Sequence, residues 1–320
     1  MYKYRCCGLK ILSNVEQRLL MLPQEECINE KNKVDITFFY KDEKFVLSNN
    51  FLKKDVQAAS FDSEIFPDVY SIGEKNYVIA FKEIGVFEIF FDKNITYVNA
   101  YADSTYLSQV CNIFCHDLIA FILLKSKILP LHAGCIQIKG KTVVILGESG
   151  TGKSTFLTSF LRYFDSYFVS DDITPLKIKN NIIYVRDSYP FLNLWDDSAA
   201  SIVPEQMDEA LVISDKIDKR NYFVGNFASF LEGWQKLDSI IILNRMNQDK
   251  DQIIKATNKA TAFIQLLKST SIGFLFNADD WKWTQNIYRH CIETIEVLTI
   301  DYNSDFYDLE CIQKELYAYF

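Results

Sequence analysis

The chain has 320 residues, 49% of them hydrophobic and 24% charged, and a net charge of −8 at pH 7. This balance is typical of a globular protein with a large core and excludes a wholly disordered chain. The negative charge disfavours non-specific nucleic-acid binding and electrostatic attachment to a membrane, because both require a cationic face. We therefore expect neither nucleic acid nor a membrane as a partner.

The spacing of the cysteines and the length of the apolar runs argue against a zinc-binding protein and against a membrane protein. None of the eight cysteines forms a C-x-x-C pair, and with three histidines no zinc-binding pattern emerges. The longest apolar run, residues 118–124, is far shorter than the ~20 residues of a membrane span. The first residues lack the apolar region of a signal peptide. These features predict a cytoplasmic protein with reduced core thiols.

The N-terminal third reads as mostly β. Short alternating or apolar runs, separated by turn residues, predict strands at 35–40, 44–48, 77–81, 86–91 and 95–101. The regular breaks between the later runs favour an antiparallel meander. A helix is predicted to start at Asp103 or Ser104, both good N-caps, and to end near Ser126, before Pro130.

The remainder alternates strands and helices. Strands are predicted at 131–138, 142–146, 167–169, 173–178, 182–186 and 239–243, and helices at 154–163, 256–268, 278–294 and 306–319. The expected fold class is α/β, with a β-rich N-terminal domain (1–126) packed on a mixed-sheet P-loop nucleotide-binding core (127–320). The helix at about 103–126 is expected to connect them.

One motif stands out between a buried strand and a helix. It matches the pattern G-x-x-x-x-G-K-[ST] and reads Gly147-Glu148-Ser149-Gly150-Thr151-Gly152-Lys153-Ser154-Thr155. The glycines let backbone N–H groups turn inward around phosphate, and the helix N-terminus adds its positive end. Lys153 is predicted to reach the β- and γ-phosphates, and Ser154 to bind Mg²⁺. The motif predicts binding of a nucleoside triphosphate, as Mg-ATP.

Two aspartates end the next apolar strand. A phosphoryl-transfer site needs an acidic partner for the metal and often a base for the acceptor. We assign Asp171 as the base and Asp172 as the Mg²⁺ ligand, and the roles could be exchanged. His132 lies on the strand expected beside the motif strand and could steer the protonation of Asp171.

A short basic cluster is the remaining candidate for charge stabilisation. It consists of Lys216, Lys219 and Arg220, and it is the basic group outside the motif with access to it. Such side chains can neutralise charge on a phosphoryl group in transfer. The alternative for such a run is a solvated surface.

Several segments in this order resemble the HPr kinase/phosphorylase family, and among its members the smaller HPr-kinase-like proteins such as lasso-peptide kinases. The similar segments are Tyr4-Arg5, Gly8-Leu9-Lys10-Ile11, Leu131-His132-Ala133-Gly134, the phosphate loop, Ser170-Asp171-Asp172, Tyr189-Pro190-Phe191-Leu192-Asn193-Leu194-Trp195 and Lys219-Arg220.

The resemblance implies a fold of the phosphoenolpyruvate carboxykinase type, with His132 near a catalytic Asp171 and Lys219 or Arg220 contacting phosphate or acceptor. It also implies homo-oligomers, which are common among such kinases. The glycine-rich signature by which bifunctional members contact HPr is not visible after Asp172, which argues against HPr itself as the acceptor.

Three functions fit the sequence. The first is an ATP-dependent kinase that phosphorylates a Ser or Thr hydroxyl of a peptide or protein, with Asp171, His132, Lys153 and Arg220 as catalytic residues. The second is a P-loop small-molecule kinase, although such chains usually begin with the loop and carry an arginine-rich lid. The third is a non-catalytic partner protein that senses nucleotide.

Overall fold

The computed structural model describes residues 1–20, 34–46, 52–54, 67–212, 219–246, 253–303 and 306–320. By internal contacts the chain divides into two units. The N-terminal unit comprises Met1–Ile122 together with Ile272–Asp280, and the core unit comprises Leu123–Ser271 and Trp281–Phe320. The segment Ile272–Asp280 thus groups with the N-terminal unit, whereas the predicted division at residue 126 had placed it with the core.

The N-terminal unit contains a sheet of eight strands within its described residues, ordered β1-β2-β3-β8-β7-β6-β5-β4. The strands are β1 Tyr2–Cys6, β2 Leu9–Ser13, β3 Ile36–Lys41, β4 Leu52–Lys54, β5 Asp68–Ile72, β6 Asn76–Phe81, β7 Gly85–Asp92 and β8 Ile95–Tyr101. β6 to β8 form the predicted antiparallel meander and β5 extends it, while β3 pairs in parallel with β2 and β8.

The strand predictions in this unit need correction in three places. Strands β4 and β5 were not predicted. The β1–β2 hairpin was not predicted; its turn is made by Cys7 and Gly8 at φ 52° and 70°, a left-handed pair suited to a two-residue hairpin. Residues 44–46 are not in a strand, although the run 44–48 was predicted as one. Residues 47 and 48 lie outside the described part of the chain.

A continuous helical segment spans Ser104–Lys125, capped by Asp103, whose side chain accepts from the Thr105 N–H. It comprises a 3-10 turn at Ser104–Tyr106, α1 at Leu107–Ile113, a π turn at Phe114–Leu118 and α2 at Ile119–Lys125. Its mean hydropathy of 1.7 over 18 residues makes it long and apolar enough to span a membrane, but 61% of that window is buried within the protein. A mostly buried helix of this kind is also typical of a soluble protein's core.

The core unit is built on a sheet of ten strands among its described residues. Its main path runs β18-β12-β10-β11-β19-β14-β13-β9, and β21 pairs with β19 and with β20. A separate three-stranded sheet has the order β15-β17-β16. The strands are β9 Leu129–Leu131, β10 Gly134–Ile138, β11 Lys141–Leu146, β12 Ser166–Ser170, β13 Thr174–Lys179, β14 Ile182–Arg186, β15 Phe191–Trp195, β16 Leu211–Val212, β17 Lys219–Phe223, β18 Ser229–Phe230, β19 Trp234–Met246, β20 Ile253–Ala256 and β21 Glu296–Asn303.

Five further helices are interspersed with the strands in the described part of the chain. They are α3 Lys153–Tyr163, α4 Asp196–Ile202, α5 Lys259–Lys268, α6 Ala278–Thr294 and α7 Phe306–Tyr319, with 3-10 turns at Arg18–Leu20, Pro204–Glu209, Val224–Asn226 and Gly273–Leu275. α3 and α7 bury apolar side chains against β10, β11, β19 and β21, including Phe156 and Phe160 of α3 and Leu316 of α7. The chain is therefore mixed α/β, as predicted.

Three predictions for the core unit differ from the structure. The run predicted as a strand at 131–138 is broken at His132 and Ala133, because the His132 N–H donates to Ser269 O (2.8 Å) instead of continuing the ladder. α5 begins at Lys259 rather than at 256, because β20 pairs with β21. β19 is much longer than the predicted strand at 239–243.

Candidate active site

The phosphate loop connects a buried strand to a helix. Residues 142–146 of β11 are buried between β10 and β19, and the chain leaves the sheet at Gly147. α3 begins at Lys153, directly after Gly152 in a left-handed conformation (φ 86°). The N-terminus of α3 thus opens at the end of β11, which is where a phosphate group is favoured by the helix dipole.

Gly152 of the loop is required by space as well as by backbone conformation, and Gly147 by space alone. A Cβ on Gly152 would lie 2.6 Å from Tyr302 Oη, and one on Gly147 would lie 2.5 Å from Thr151 Oγ1. Gly150 is also left-handed (φ 82°), but a Cβ there would meet no atom within 4 Å. The Tyr302 hydroxyl donates to Thr151 O, so a side chain from β21 holds the loop from outside.

Lys153 is folded back across the loop. Its Nζ donates to Gly147 O (3.0 Å) and Glu148 O (3.3 Å), and only 8% of the residue is exposed. Burial lowers the pKa of its ammonium group, while the negative charges of Asp171 and Asp172 oppose that shift. Lys153 therefore lies at the centre of the loop, within the field of both aspartates.

Asp171 is a buried carboxyl group at the end of β12, with 1% of the residue exposed. Neither carboxylate oxygen has a hydrogen-bond partner of ordinary geometry among the described residues. Burial, followed by the charge of Asp172, raises its pKa to about 7; the Ser154 hydroxyl and the Asp172 backbone, in looser contact, oppose the rise. β10 approaches closely here, since a Cβ on Gly134 would lie 3.5 Å from Asp171 Oδ1.

Asp172 differs from its neighbour in both conformation and surroundings. It is left-handed (φ 60°) and half-buried, and its Oδ2 accepts from Asn193 Nδ2 at 3.5 Å. The two side chains are separated because β12 ends at Ser170 and the chain turns at Asp172.

His132 lies beside this turn rather than on a strand. Its pKa is lowered, first by burial and then by the positive charges of Lys153 and Lys219, while the charge of Asp172 and a hydrogen bond to the Asp172 backbone oppose the shift. A lowered pKa keeps the imidazole neutral at neutral pH. His132 is therefore closer to Asp172 in its interactions than to Asp171, the partner predicted from the sequence.

The residues of the predicted basic cluster have different surroundings in the structure. Lys219 lies opposite Trp195 in the β15–β17 ladder, and both line the same cavity as the loop. Arg220, the next residue along β17, instead donates to Asp196 Oδ2 at 2.9 Å and does not line that cavity. Arg220 was predicted to be catalytic, but the basic residue that lines the cavity beside the loop is Lys219. Lys216 lies outside the described residues.

Loop, aspartate turn and Lys219 meet at one cavity of about 580 Å³. The predicted residues that line it are His132, Ser149, Gly150, Gly152, Lys153, Ser154, Thr155, Asp172 and Lys219. The residues that sequence reasoning did not assign to the site are Asn193, Trp195, Asp197, Ser198, Arg245, Tyr302 and Leu309. Asp171 is absent from this lining because it lies buried behind it.

Some of the missed residues carried a signal in the sequence. Arg245 and Tyr302 lie near the carboxyl ends of β19 and β21, which run parallel to β11. Ligands of open α/β sheets bind at that edge. Arg245 Nη1 donates to Gly150 O at 3.4 Å. Asn193 and Trp195 gave no such signal, because only the pairing of β15 with β17 brings them to the cavity.

The residues at this site fit a divalent cation held together with phosphate. Among the described residues no group of three or more His, Cys, Asp or Glu side chains could form a metal site without help. Mg²⁺, however, is usually held by one or two protein oxygens plus substrate phosphates and water. The unpartnered oxygens of Asp171 beside the Ser154 hydroxyl supply such a set.

Comparison with known proteins adds little beyond this geometry. No protein-family model matches the chain, and no curated protein matches it. Among solved structures it is similar to the Hpr(Ser) kinase/phosphatase from Coxiella burnetii, with 15% sequence identity and a TM-score of 0.33. That alignment covers 59% of this chain and 95% of the other. At this TM-score the likeness supports no conclusion about function.

Proposed function

We propose that this protein is an ATP-dependent kinase that transfers the γ-phosphoryl group to a hydroxyl group of a peptide or protein. The observation that carries the proposal is that a phosphate loop, Asp172 and Lys219 line one cavity, with the buried Asp171 directly behind it. A loop of this kind binds triphosphate, and the acids and the lysine supply what transfer to a hydroxyl additionally requires.

The loop side supports the binding of ATP. Backbone N–H groups at the start of α3, together with Lys153, would hold the β- and γ-phosphates, and the glycine positions leave room for that approach. Mg²⁺ bound with the nucleotide would neutralise phosphate charge. Ser154 and Asp171 are the residues proposed to hold it.

The acid side supports a division of labour that reverses the assignment made from the sequence. Asp171 lies behind the cavity lining and beside Ser154, the loop residue expected to hold a nucleotide-bound cation, whereas an acceptor hydroxyl would enter the cavity itself. Asp172 lines the cavity with the neutral His132. We therefore assign Asp172 as the base and Asp171 as the cation ligand.

In the transfer step the Asp172 carboxylate accepts the proton of the acceptor hydroxyl. The acceptor oxygen forms a bond to the γ-phosphorus, the bond from that phosphorus to the β,γ-bridging oxygen breaks, and ADP leaves with the electron pair. Lys219 faces this region with a positive charge and would stabilise the transferring group. His132, which hydrogen-bonds the Asp172 backbone, would position the turn.

The test follows γ-labelled ATP into host lysate in the presence of Mg²⁺, with protein, peptide and small-molecule fractions separated. The variants are Lys153→Ala, Asp171→Asn and Asp172→Asn, and the control is Lys259→Ala at an exposed position of α5. Label in a protein or peptide band should be lost in Lys153→Ala and should fall roughly 10²–10⁴-fold in Asp172→Asn, as expected for loss of a general base.

The outcomes separate the competing functions. Label confined to the small-molecule fraction would indicate a small-molecule kinase. ATP binding without transfer to any fraction would indicate a nucleotide sensor.

The same variants separate the two aspartate assignments. Asp171→Asn should require a higher Mg²⁺ concentration for ATP binding. If only Asp172→Asn raises the Mg²⁺ concentration needed for ATP binding, the assignment made from the sequence is correct, with Asp171 as the base and Asp172 as the Mg²⁺ ligand.

A further inference from the structure

A cationic face lies on the core sheet outside the cavity. Along β14 every second side chain is buried, and the cross-strand partners of the intervening residues on β13 and β19 lie on the same face of the sheet. Lys177, Tyr184 and Lys236 are direct cross-strand partners, as are Arg186 and Trp234. We call this the basic sheet face; its residues are Lys177, Lys179, Tyr184, Arg186, Trp234 and Lys236.

The cations of this face are close to one another and to an aromatic ring. Lys177 Nζ lies 3.6 Å from the centre of the Trp234 ring, and Arg186 Cζ lies 5.5 Å from it. The pKa of Lys177 is lowered by partial burial and then by the charges of Lys179 and Arg186. Tryptophan is the best cation–π partner, so the ring holds positive charges together that would otherwise repel.

Acidic residues compensate only part of this charge. Arg186 Nε lies 3.1 Å from Asp187 Oδ1, and Lys236 Nζ lies 3.6 Å from Asp238 Oδ1. Lys177 and Lys179 have no ion pair among the described residues. A partly uncompensated cationic face on a chain of net charge −8 is the opposite of what its composition favours, and it is complementary to an acidic partner.

We propose that the basic sheet face docks an acidic segment of the polypeptide acceptor. A polypeptide fits better than nucleic acid, because four cations on an acidic protein are fewer than the roughly 6–10 phosphate contacts of a typical nucleic-acid site. The partly exposed rings of Tyr184 and Trp234 add apolar contact between the charges.

The position of the face relative to the site sets the expected spacing. β13 starts at Thr174, two residues after Asp172, and Lys177 lies about 10 Å further along the strand at ~3.3 Å per residue. An extended acceptor with its hydroxyl at Asp172 would place acidic residues on this face roughly four to six residues away. The identification of the docked segment as part of an acceptor rests on the proposed kinase function. The binding of an acidic segment to the face does not depend on that function.

Binding is therefore measured without ATP. The probe is a fluorescent peptide with a serine, a glycine spacer and a run of glutamates, and the reference peptide carries glutamines instead. The test variant is Lys179→Glu/Lys236→Glu, and the matched control, with the same change in net charge, is Lys259→Glu/Lys282→Glu on exposed helix positions. Lys179→Gln/Lys236→Gln serves as a milder second test variant.

The wild type and the control should bind the glutamate peptide with similar affinity, and the test variant about tenfold more weakly. The glutamine peptide should bind none of them measurably. Equal weakening in test and control variants, or no binding by the wild type, would overturn the proposal. Displacement of the peptide by single-stranded DNA at lower concentration would also overturn it, in favour of a general polyanion site. Each outcome can arise whether or not phosphoryl transfer is found.

Discussion

The phosphate loop and the aspartate turn both follow strands of one sheet and serve one cavity, yet they are specified differently. The loop acts through its backbone, and its left-handed Gly150 and Gly152 are fixed by a local run of residues. The aspartate turn acts through the environment of two side chains, which distant segments create. The difference explains why a motif can identify the loop, whereas the chemistry of Asp171 and Asp172 requires the fold.

The sharpest test of this difference is the buried carboxyl group of Asp171. Its pKa in the folded protein, about 7, lies above the ordinary value of 3.8, so the folded state binds this proton more tightly than the unfolded state. The associated stability is fully present below about pH 4 and is lost as the pH rises through 7. Wild type should therefore lose up to about 4 kcal/mol relative to Asp171→Asn between pH 4 and pH 8.

The measurement is urea denaturation across this pH range. A chelator is present so that no bound divalent cation stabilises the ionised Asp171 carboxylate. The control is Asp165→Asn, which removes a carboxylate from the exposed turn after α3. Parallel stability curves for wild type and Asp171→Asn would contradict a pKa of Asp171 raised by burial. The aspartate turn would then not depend on distant packing any more than the phosphate loop does.

The same contrast accounts for what the sequence could predict. The meander β6–β8, the β13–β14 hairpin and the helices α6 and α7 follow from local periodicity and turn residues, and the structure confirms them. In the hairpin, Asn180 and Asn181 adopt φ 51° and 61°, the left-handed pair that such a turn needs. Local chemistry was sufficient in each case.

Predictions failed where a distant partner decides the outcome. His132 leaves the strand because Ser269, far along the chain, accepts its N–H. Lys219 rather than Arg220 faces the cavity because of the register of β17 against β15, which no short window reveals. The raised pKa of Asp171 depends on burial that only the assembled sheet and α3 provide. The sequence therefore predicts which kinds of residue form the site, but the role of each one depends on the packing around it.

Gly152→Ala tests the backbone half of the comparison. The new Cβ would lie 2.6 Å from Tyr302 Oη at a φ of 86°, which strains the loop where it meets α3. A non-glycine residue held in such a conformation costs about 1–3 kcal/mol, so Mg-ATP affinity should fall roughly 10–100-fold. Isothermal titration calorimetry measures the affinity directly.

The matched control is Gly140→Ala in the β10–β11 turn. Its φ is 78° and its Cβ would meet no atom within 4 Å, so it introduces similar strain away from the loop. It should lower stability by about 1 kcal/mol and leave the affinity unchanged. If both variants lose affinity equally, the loss reports general destabilisation rather than the shape of the loop.

The smallest predicted effect separates two adjacent basic residues. Lys219→Ala should reduce phosphoryl transfer about tenfold, because it removes a positive charge that lines the cavity. Arg220→Ala should change transfer less than about threefold and stability by about 0.5–1 kcal/mol, since its ion pair with Asp196 is partly exposed. Initial rates with the labelled acceptor, and urea denaturation of both variants, give the comparison.

A larger loss of transfer in Arg220→Ala would restore the assignment made from the sequence. It would also mean that α4, where Asp196 lies, must shift when the site closes, because in this arrangement Arg220 is bound to Asp196 and not to the cavity. Asp196→Asn distinguishes the two cases: it should free Arg220 and raise transfer only if Arg220 acts at the cavity. With Lys219 as the acting residue, Asp196→Asn should leave the rate within about twofold of wild type.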